Sequence, residues 1–142
     1  MLLQFEKTHA DAVLPVKNHA TDTGMDVTCV EDFIIQAGGS TVVNVGLKVA
    51  HIEPGYWFKV EGRSGLGFKH GIMPHPGIID NGYRGDCAIK LYNLSDKDFA
   101  GWAGDRIAQF VVYVNHSTTV EGGVANDTGT ARGEKGFGSS GK

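Results

Sequence analysis

Asp80 and Tyr83 flank an Asn-Gly pair within Gly77-Ile78-Ile79-Asp80-Asn81-Gly82-Tyr83-Arg84-Gly85-Asp86, between two apolar runs. A carboxylate can take a proton from water, and an aromatic ring offers a flat wall to a sugar. The turn itself needs neither, because Asn-Gly is already a hairpin signal through its tolerance of positive φ. An Asp in that position also caps turns through its own side chain. Arg63, Ser64 and Gly65, in the glycine-rich run Glu61–Gly71, add a guanidinium, a hydroxyl and approachable backbone amides. Such groups bind phosphate oxygens by fork and by nest, although a strand can also simply end in a glycine-rich loop. Gly104-Asp105-Arg106-Ile107-Ala108-Gln109 opens an apolar strand with an Asp-Arg pair, a combination most often found as a surface ion pair. Thr23-Gly24-Met25-Asp26-Val27 reads as a turn leading into a strand. The chain closes on Arg132-Gly133-Glu134-Lys135-Gly136-Phe137-Gly138-Ser139-Ser140-Gly141-Lys142, with three cations, one ring and two hydroxyls among glycines. A base, phosphate donors and a lone ring on a flexible arm together describe a nucleotide pocket.

Other chemistries fit poorly. Gly136–Lys142 matches the G-x-x-x-x-G-K half of a P-loop, but no Ser/Thr and no helix follow the lysine. The six histidines and two cysteines show no metal-ligand spacing, so zinc is not expected. Cys29 and Cys87 read as small buried apolar residues of a reducing compartment. A net charge of -3, from 13 basic and 16 acidic residues, gives no field for nucleic acid or an anionic membrane. The N-terminal Met1–Lys7 meets charge too early for a signal peptide, and no apolar run nears the roughly 20 residues of a membrane span. A cytoplasmic protein is expected.

Positioning these groups falls to strands. At 142 residues one domain is expected, large enough to hold a core without disulfides. Met25–Val30, Phe33–Ile35, Thr41–Ala50, Tyr56–Val60, Cys87–Tyr92 and Arg106–Asn115 are rich in β-branched and aromatic residues, with Gly-Gly, Pro-Gly and Asn-Gly between them. No long window sustains a helical period; at most Ser64–Phe68 forms a short turn of helix. The fold class expected is all-β, closed or jelly-roll-like, without internal repeats. From Gly122 onward seven glycines and one aromatic cannot offset the entropy of ordering, so residues 1–121 read as the β-barrel domain and 122–142 as a mobile arm.

Taken in order, Thr23–Val27, Gly62–Gly71, Gly77–Asp86, Gly104–Gln109 and Arg132–Gly141 resemble the five motifs of the trimeric, all-β dUTPases (dUTP nucleotidohydrolases). The resemblance covers nearly the whole chain and implies a jelly-roll-like β-barrel with a glycine-rich C-terminal arm. It implies hydrolysis of dUTP to dUMP and pyrophosphate, lowering dUTP and supplying dUMP for thymidylate synthesis. It further implies a homotrimer with shared sites, each closed by a neighbour's arm. Asp80 would deprotonate the attacking water and meet the sugar 3′-OH, with Gln109 and Arg132 completing the catalytic set. Tyr83 would exclude a 2′-OH, and the backbone from Asp86 to Ala88 would read the uracil edge. Ser64, Gly65 and Gln109 would bind phosphate with Arg63 and Arg106 in support, and Asn81 would border the substrate. Phe137 would stack on uracil, while Arg132, Gly138, Ser139 and Ser140 clasp the phosphates. Asp26 and Asp105 would stand behind these as structural supports. Mg²⁺ would arrive on the triphosphate with no direct protein ligand. Gly62 stands where the family commonly has proline, Thr23 where it has alanine and Lys135 where it has glycine. A dCTP deaminase-like enzyme and a non-catalytic nucleotide-binding regulatory module on the same barrel are the alternatives.

Overall fold

The computed structural model describes residues 1–125 and 129–141, and strands account for nearly all of its regular structure. They are β1 (Leu3–Lys7), β2 (Met25–Thr28), β3 (Phe33–Ile35), β4 (Ser40–Val43), β5 (Leu47–Ile52), β6 (Tyr56–Glu61), β7 (Ile72–Pro74), β8 (Gly77–Ile79), β9 (Ile89–Asn93), β10 (Phe99–Gly101) and β11 (Arg106–Val114), with one helix, α1 (Ser64–His70), between β6 and β7. Four small sheets, β2-β11-β6-β8, β4-β9-β7, β1-β5 and β3-β10, wrap one core in a jelly-roll-like arrangement. Every pairing is antiparallel.

Alternation along the strands builds that core. On β6, Phe58 and Val60 point inward while Trp57, Lys59 and Glu61 face out. Phe58 and Phe110 meet at 4.8 Å between ring centroids, and Phe5 lies 5.9 Å from both. Leu47, Ile52, Ile72, Ile89, Leu91 and Ile107 complete a dry interior. Burying side chains of this size stabilises the fold by about 1.5–3 kcal/mol each, enough for a chain of this length to need no cross-link. Cys29 and Cys87 are both free and buried, as their expected packing role requires.

Strands β1, β7, β8 and β10 lie outside the segments expected from sequence, and the chain departs from expectation elsewhere too. The run Thr41–Ala50 is two strands, because Gly46 takes φ +65 and an added Cβ there would stand 2.7 Å from His9 Cβ. Helix α1 continues past Phe68 to His70 and ends on Gly71 in the left-handed conformation. Asn81-Gly82 does not close a two-strand hairpin: β8 pairs back onto β6, and the segment after the turn crosses to β5. Neither Asn81 nor Gly82 takes positive φ. The turn closes instead through the Tyr83 N–H donating to Asp80 C=O at 2.9 Å.

Candidate functional site

Asp26 is the hub of the first residue group. It lies on β2, almost fully buried, and both its oxygens are engaged. Oδ1 accepts from Arg63 Nε at 3.0 Å; Oδ2 accepts from Arg106 Nη1 at 3.1 Å and from Asn18 Nδ2 at 2.8 Å. Arg106 reaches Asp26 because β11 carries a bulge against β2, the register shifting between Arg106 and Ala108. The extra residue lets Ile107 and Ala108 both enter the core while Arg106 stays out. Arg63 sits just before α1, so Ser64, Gly65 and Leu66 supply the first-turn amides of the helix, and no side chain caps them.

Gln109 ties this group together from the middle of the sheet. It pairs with Asp26 on one side and Glu61 on the other, and its Nε2 donates to Gly62 C=O at 2.7 Å. Gly24 is the reason it fits: any Cβ there would overlap the Gln109 amide. A cavity of about 340 Å³ opens over Gly24, Asp26, Ser64, Gly65 and Gln109, with Asn18, Asp22, Thr23 and Arg63 on its rim. On the other side of Arg63, a cavity of about 380 Å³ is lined by Phe33, Leu66, Phe99 and Arg106. Asn18 and Asp22 carried no sequence signal, because the bonds that place Asn18 reach partners 8 and 88 residues away. Asp22 turns its carboxylate back to the His19 N–H at 2.9 Å, and that bond lowers its pKa below the usual aspartate value.

The second group is the turn after β8. Asn81 Nδ2 donates to the carbonyls of Ile52, Glu53 and Tyr56, pinning the turn to the β5–β6 connection. Tyr83 Oη donates to Asp86 C=O at 2.8 Å, and the ring lies so close over Gly85 that a Cβ there would overlap it. Beyond the turn, Gly85 C=O accepts from Val49 N–H and the Cys87 N–H donates to Leu47 C=O. Alternation then turns the polar backbone of Asp86 and Ala88 away from β5, except that Asp86 C=O holds the Tyr83 hydroxyl. Asp80 is exposed, and its carboxylate makes no hydrogen bond or ion pair among the described residues. Asp105 is structural in geometry: its Oδ2 accepts from the Trp102 N–H and its C=O from the Cys29 N–H, holding the β10–β11 turn.

One chain does not bring these groups together. Ile79 pairs with Phe58, whereas Arg63 lies five residues further along the β6 path. At about 3.3 Å per strand residue, Asp80 and Arg63 stand roughly 15–20 Å apart along the sheet. The third group, on the arm, stands apart as well. Arg132 Nε donates to Lys135 C=O at 2.8 Å, and the turns at Arg132–Lys135, Gly136–Ser139 and Gly138–Gly141 bond, among the described residues, only within the arm. Phe137 is fully exposed and holds φ +51, with Gly138 at φ +83 beside it; Ser139 and Ser140 are exposed too. Lys142, the last arm cation, lies outside the described residues.

The motif order and this geometry agree with comparisons to known proteins. The family model described as dUTPase matches residues 10–141. The deoxyuridine 5′-triphosphate nucleotidohydrolase of Solibacter usitatus is 41% identical, covering 100% of this chain and 97% of that one. The Wolinella succinogenes protein of the same name is 42% identical, over 100% and 95%. Among solved structures, a variant of the Staphylococcus bacteriophage 80alpha dUTPase with dUpNHpp superposes with a TM-score of 0.89 at 26% identity, covering 99% of each chain. With five motifs in order and full-length likeness in sequence and fold, the chain belongs to the dUTPase family.

Proposed function

We propose that the protein hydrolyses dUTP to dUMP and pyrophosphate. Asp80 accepts a proton from a water molecule as that water's oxygen attacks the α-phosphorus. The bond from the α-phosphorus to the bridging oxygen breaks, and pyrophosphate carries away the electron pair. Because little covalent chemistry falls to the protein, catalysis is mostly positioning and charge stabilisation. The observation that carries the reading is Asp80 itself: a carboxylate without a partner among the described residues, projecting from a turn that Asn81 pins in place.

The remaining residues take roles that fit their settings. Tyr83, held over Gly85, rests against the deoxyribose where a 2′-OH would clash. Asn81 fixes the turn, its Oδ1 remaining available toward the substrate. The backbone at Asp86 and Ala88 pairs with the uracil edge; cytosine reverses donor and acceptor there, at roughly 1–3 kcal/mol for each mismatched group. Ser64, Gly65 and Gln109 hold phosphate, with Arg63 and Arg106 neutralising charge from behind. Residues 122–142 act as an arm: Phe137 covers the uracil, and Arg132, Gly138, Ser139 and Ser140 close on the phosphates, excluding water.

A site divided between Asp80 and Arg63 supports completion by a second copy, and an arm that bonds only to itself supports delivery to a neighbour; three chains would then share three sites. The outward face of β6, β8 and β11 carries Trp57 stacked on Tyr113 at 4.8 Å, with Ile78 exposed nearby, an apolar surface suited to self-association. Among the described residues no group of three or more His, Cys, Asp or Glu side chains could hold a metal. Mg²⁺, brought by the substrate's triphosphate, would supply charge neutralisation there. No helix among the described residues is long and apolar enough to cross a membrane.

Pyrophosphate release from dUTP, UTP, dCTP and dTTP with Mg²⁺ tests the reading, with Asp80→Asn as control. The expected result is selectivity for dUTP, falling by about 10²–10⁴-fold in the variant while dUTP binding persists. Ammonia release from dCTP would favour a deaminase, and dUTP binding without turnover would favour a regulatory module.

A further inference from the structure

Asn18 belongs to none of the recurring motifs, yet it links the charged groups beside the phosphate cavity. Its Nδ2 donates to Asp26 Oδ2 at 2.8 Å and its Oδ1 accepts from Arg106 Nη1 at 2.7 Å. Arg106 Nη1 also reaches Asp26 Oδ2, at 3.1 Å, so this nitrogen's two protons are held by Asn18 and Asp26 together. Arg63 completes the ring, with Nε on Asp26 Oδ1 and Nη1 on Arg106 C=O at 3.2 Å. The loop that presents Asn18 is fixed at both ends. Val16 and Asp26 exchange backbone hydrogen bonds just before it, and a His19–Asp22 turn closes just after it.

A neutral amide satisfies both demands made here. Asp26 needs a donor and Arg106 needs an acceptor, and Asn offers one of each on a single planar group. A second carboxylate would satisfy Arg106 but oppose Asp26 and cancel the net positive charge of the Arg63–Arg106–Asp26 set. An apolar residue would leave Arg106 held by Asp26 alone, and Asp26 would lose one of its three partners.

We infer that Asn18 is a positioning residue that sets the Arg63–Arg106 pair against the substrate's phosphates. The assignment rests on the reading of the Ser64–Gln109 cavity as the phosphate site. It adds a residue to that reading and a defined role, in which Asn18 acts on affinity through Arg63 and Arg106 without touching the reacting atoms.

Two variants of the full-length protein test it, Asn18→Asp and Asn18→Ala, each first checked by thermal melting. The probe is inorganic tripolyphosphate, titrated calorimetrically, beside steady-state turnover of dUTP from pH 5.5 to 8. At pH 8, Asn18→Asp should weaken tripolyphosphate binding by about tenfold or more and raise KM for dUTP to match, with kcat kept within about twofold. Asn18→Ala should weaken binding as well. If it does not fold, the isosteric Asp variant carries the test. Wild-type affinity in both variants, a loss confined to kcat, or a wild type that ignores tripolyphosphate would each overturn the assignment. Tripolyphosphate binding that depends on Asn18 in a protein inert toward dUTP would sustain it while removing the proposed reaction.

Discussion

At the scale of single residues, what each position lacks matters as much as what it carries. Gly85 has no side chain because the Tyr83 ring occupies that space, and Gly24 has none because the Gln109 amide does. Neither glycine takes positive φ, so an alanine at either position strains no backbone and acts only by displacing its neighbour. Gly85→Ala therefore separates the Tyr83 wall from the fold. It should leave the melting temperature within a few degrees of wild type. It should also narrow the ratio of kcat/KM for dUTP over UTP by about tenfold, because a displaced ring no longer guards the 2′ position. An unchanged ratio would remove Tyr83 from sugar selection. Asp80, Tyr83, Arg63 and Ser64 stood out in the sequence because their types are superfluous in a turn or loop, whereas Gln109, on β11, entered only through the ordered motifs. Asn18 did not stand out, since an Asn among turn residues looks ordinary until its partners, far along the chain, are in place.

At the scale of elements, most longer strands were legible, Leu3–Lys7 excepted, and most three-residue ones were not, Phe33–Ile35 excepted. Met25–Thr28, Phe33–Ile35, Tyr56–Glu61, Ile89–Asn93 and Arg106–Val114 carry enough β-branched and aromatic residues to declare themselves. Ile72–Pro74, Gly77–Ile79 and Phe99–Gly101 are three residues each, too short for any period, and form because a neighbouring strand offers an open edge. The same holds for the segment after the Asp80–Tyr83 turn, which is held to β5 by Cys87 N–H and Gly85 C=O. Cys87 gives that contact a pH signature. Burial, with Asp86 adjacent, pushes its thiol up from 9.0 to about 12, so between those values the folded chain holds a proton that the unfolded chain has released. Stability present at neutral pH should therefore decline as pH rises above about 9. Cys87→Ala should be less stable at pH 8 by about 1 kcal/mol through its lost packing. Its loss of stability toward pH 10.5 should be shallower than that of wild type, as followed by urea unfolding at fixed protein concentration. Parallel pH curves would place the thiol outside the buried contact. Lysines and tyrosines titrate in the same window, but they do so in both proteins and drop out of the difference.

At the scale of the whole molecule, the proposed site lies in three pieces: the Asp26–Arg63–Gln109 cavity, the Asp80–Tyr83 turn, and an arm that bonds to neither among the described residues. A monomer with this layout would hold its phosphate donors and its base roughly 15–20 Å apart, too far for one α-phosphate to meet both. On the proposed reading, assembly is then part of the chemistry, and sequence order alone names the pieces without saying which copy supplies each. The direct test is to mix two inactive chains, Asp80→Asn and Arg63→Ala, under conditions that exchange subunits, and to measure pyrophosphate release from dUTP. If Asp80 of one copy works with Arg63 of another, about a quarter of the sites in a random equimolar mixture hold both intact residues, and about a quarter of wild-type activity should return. Activity that stays at the level of the separate variants, after exchange has been verified, would place Asp80 and Arg63 of each site on the same chain and contradict the account.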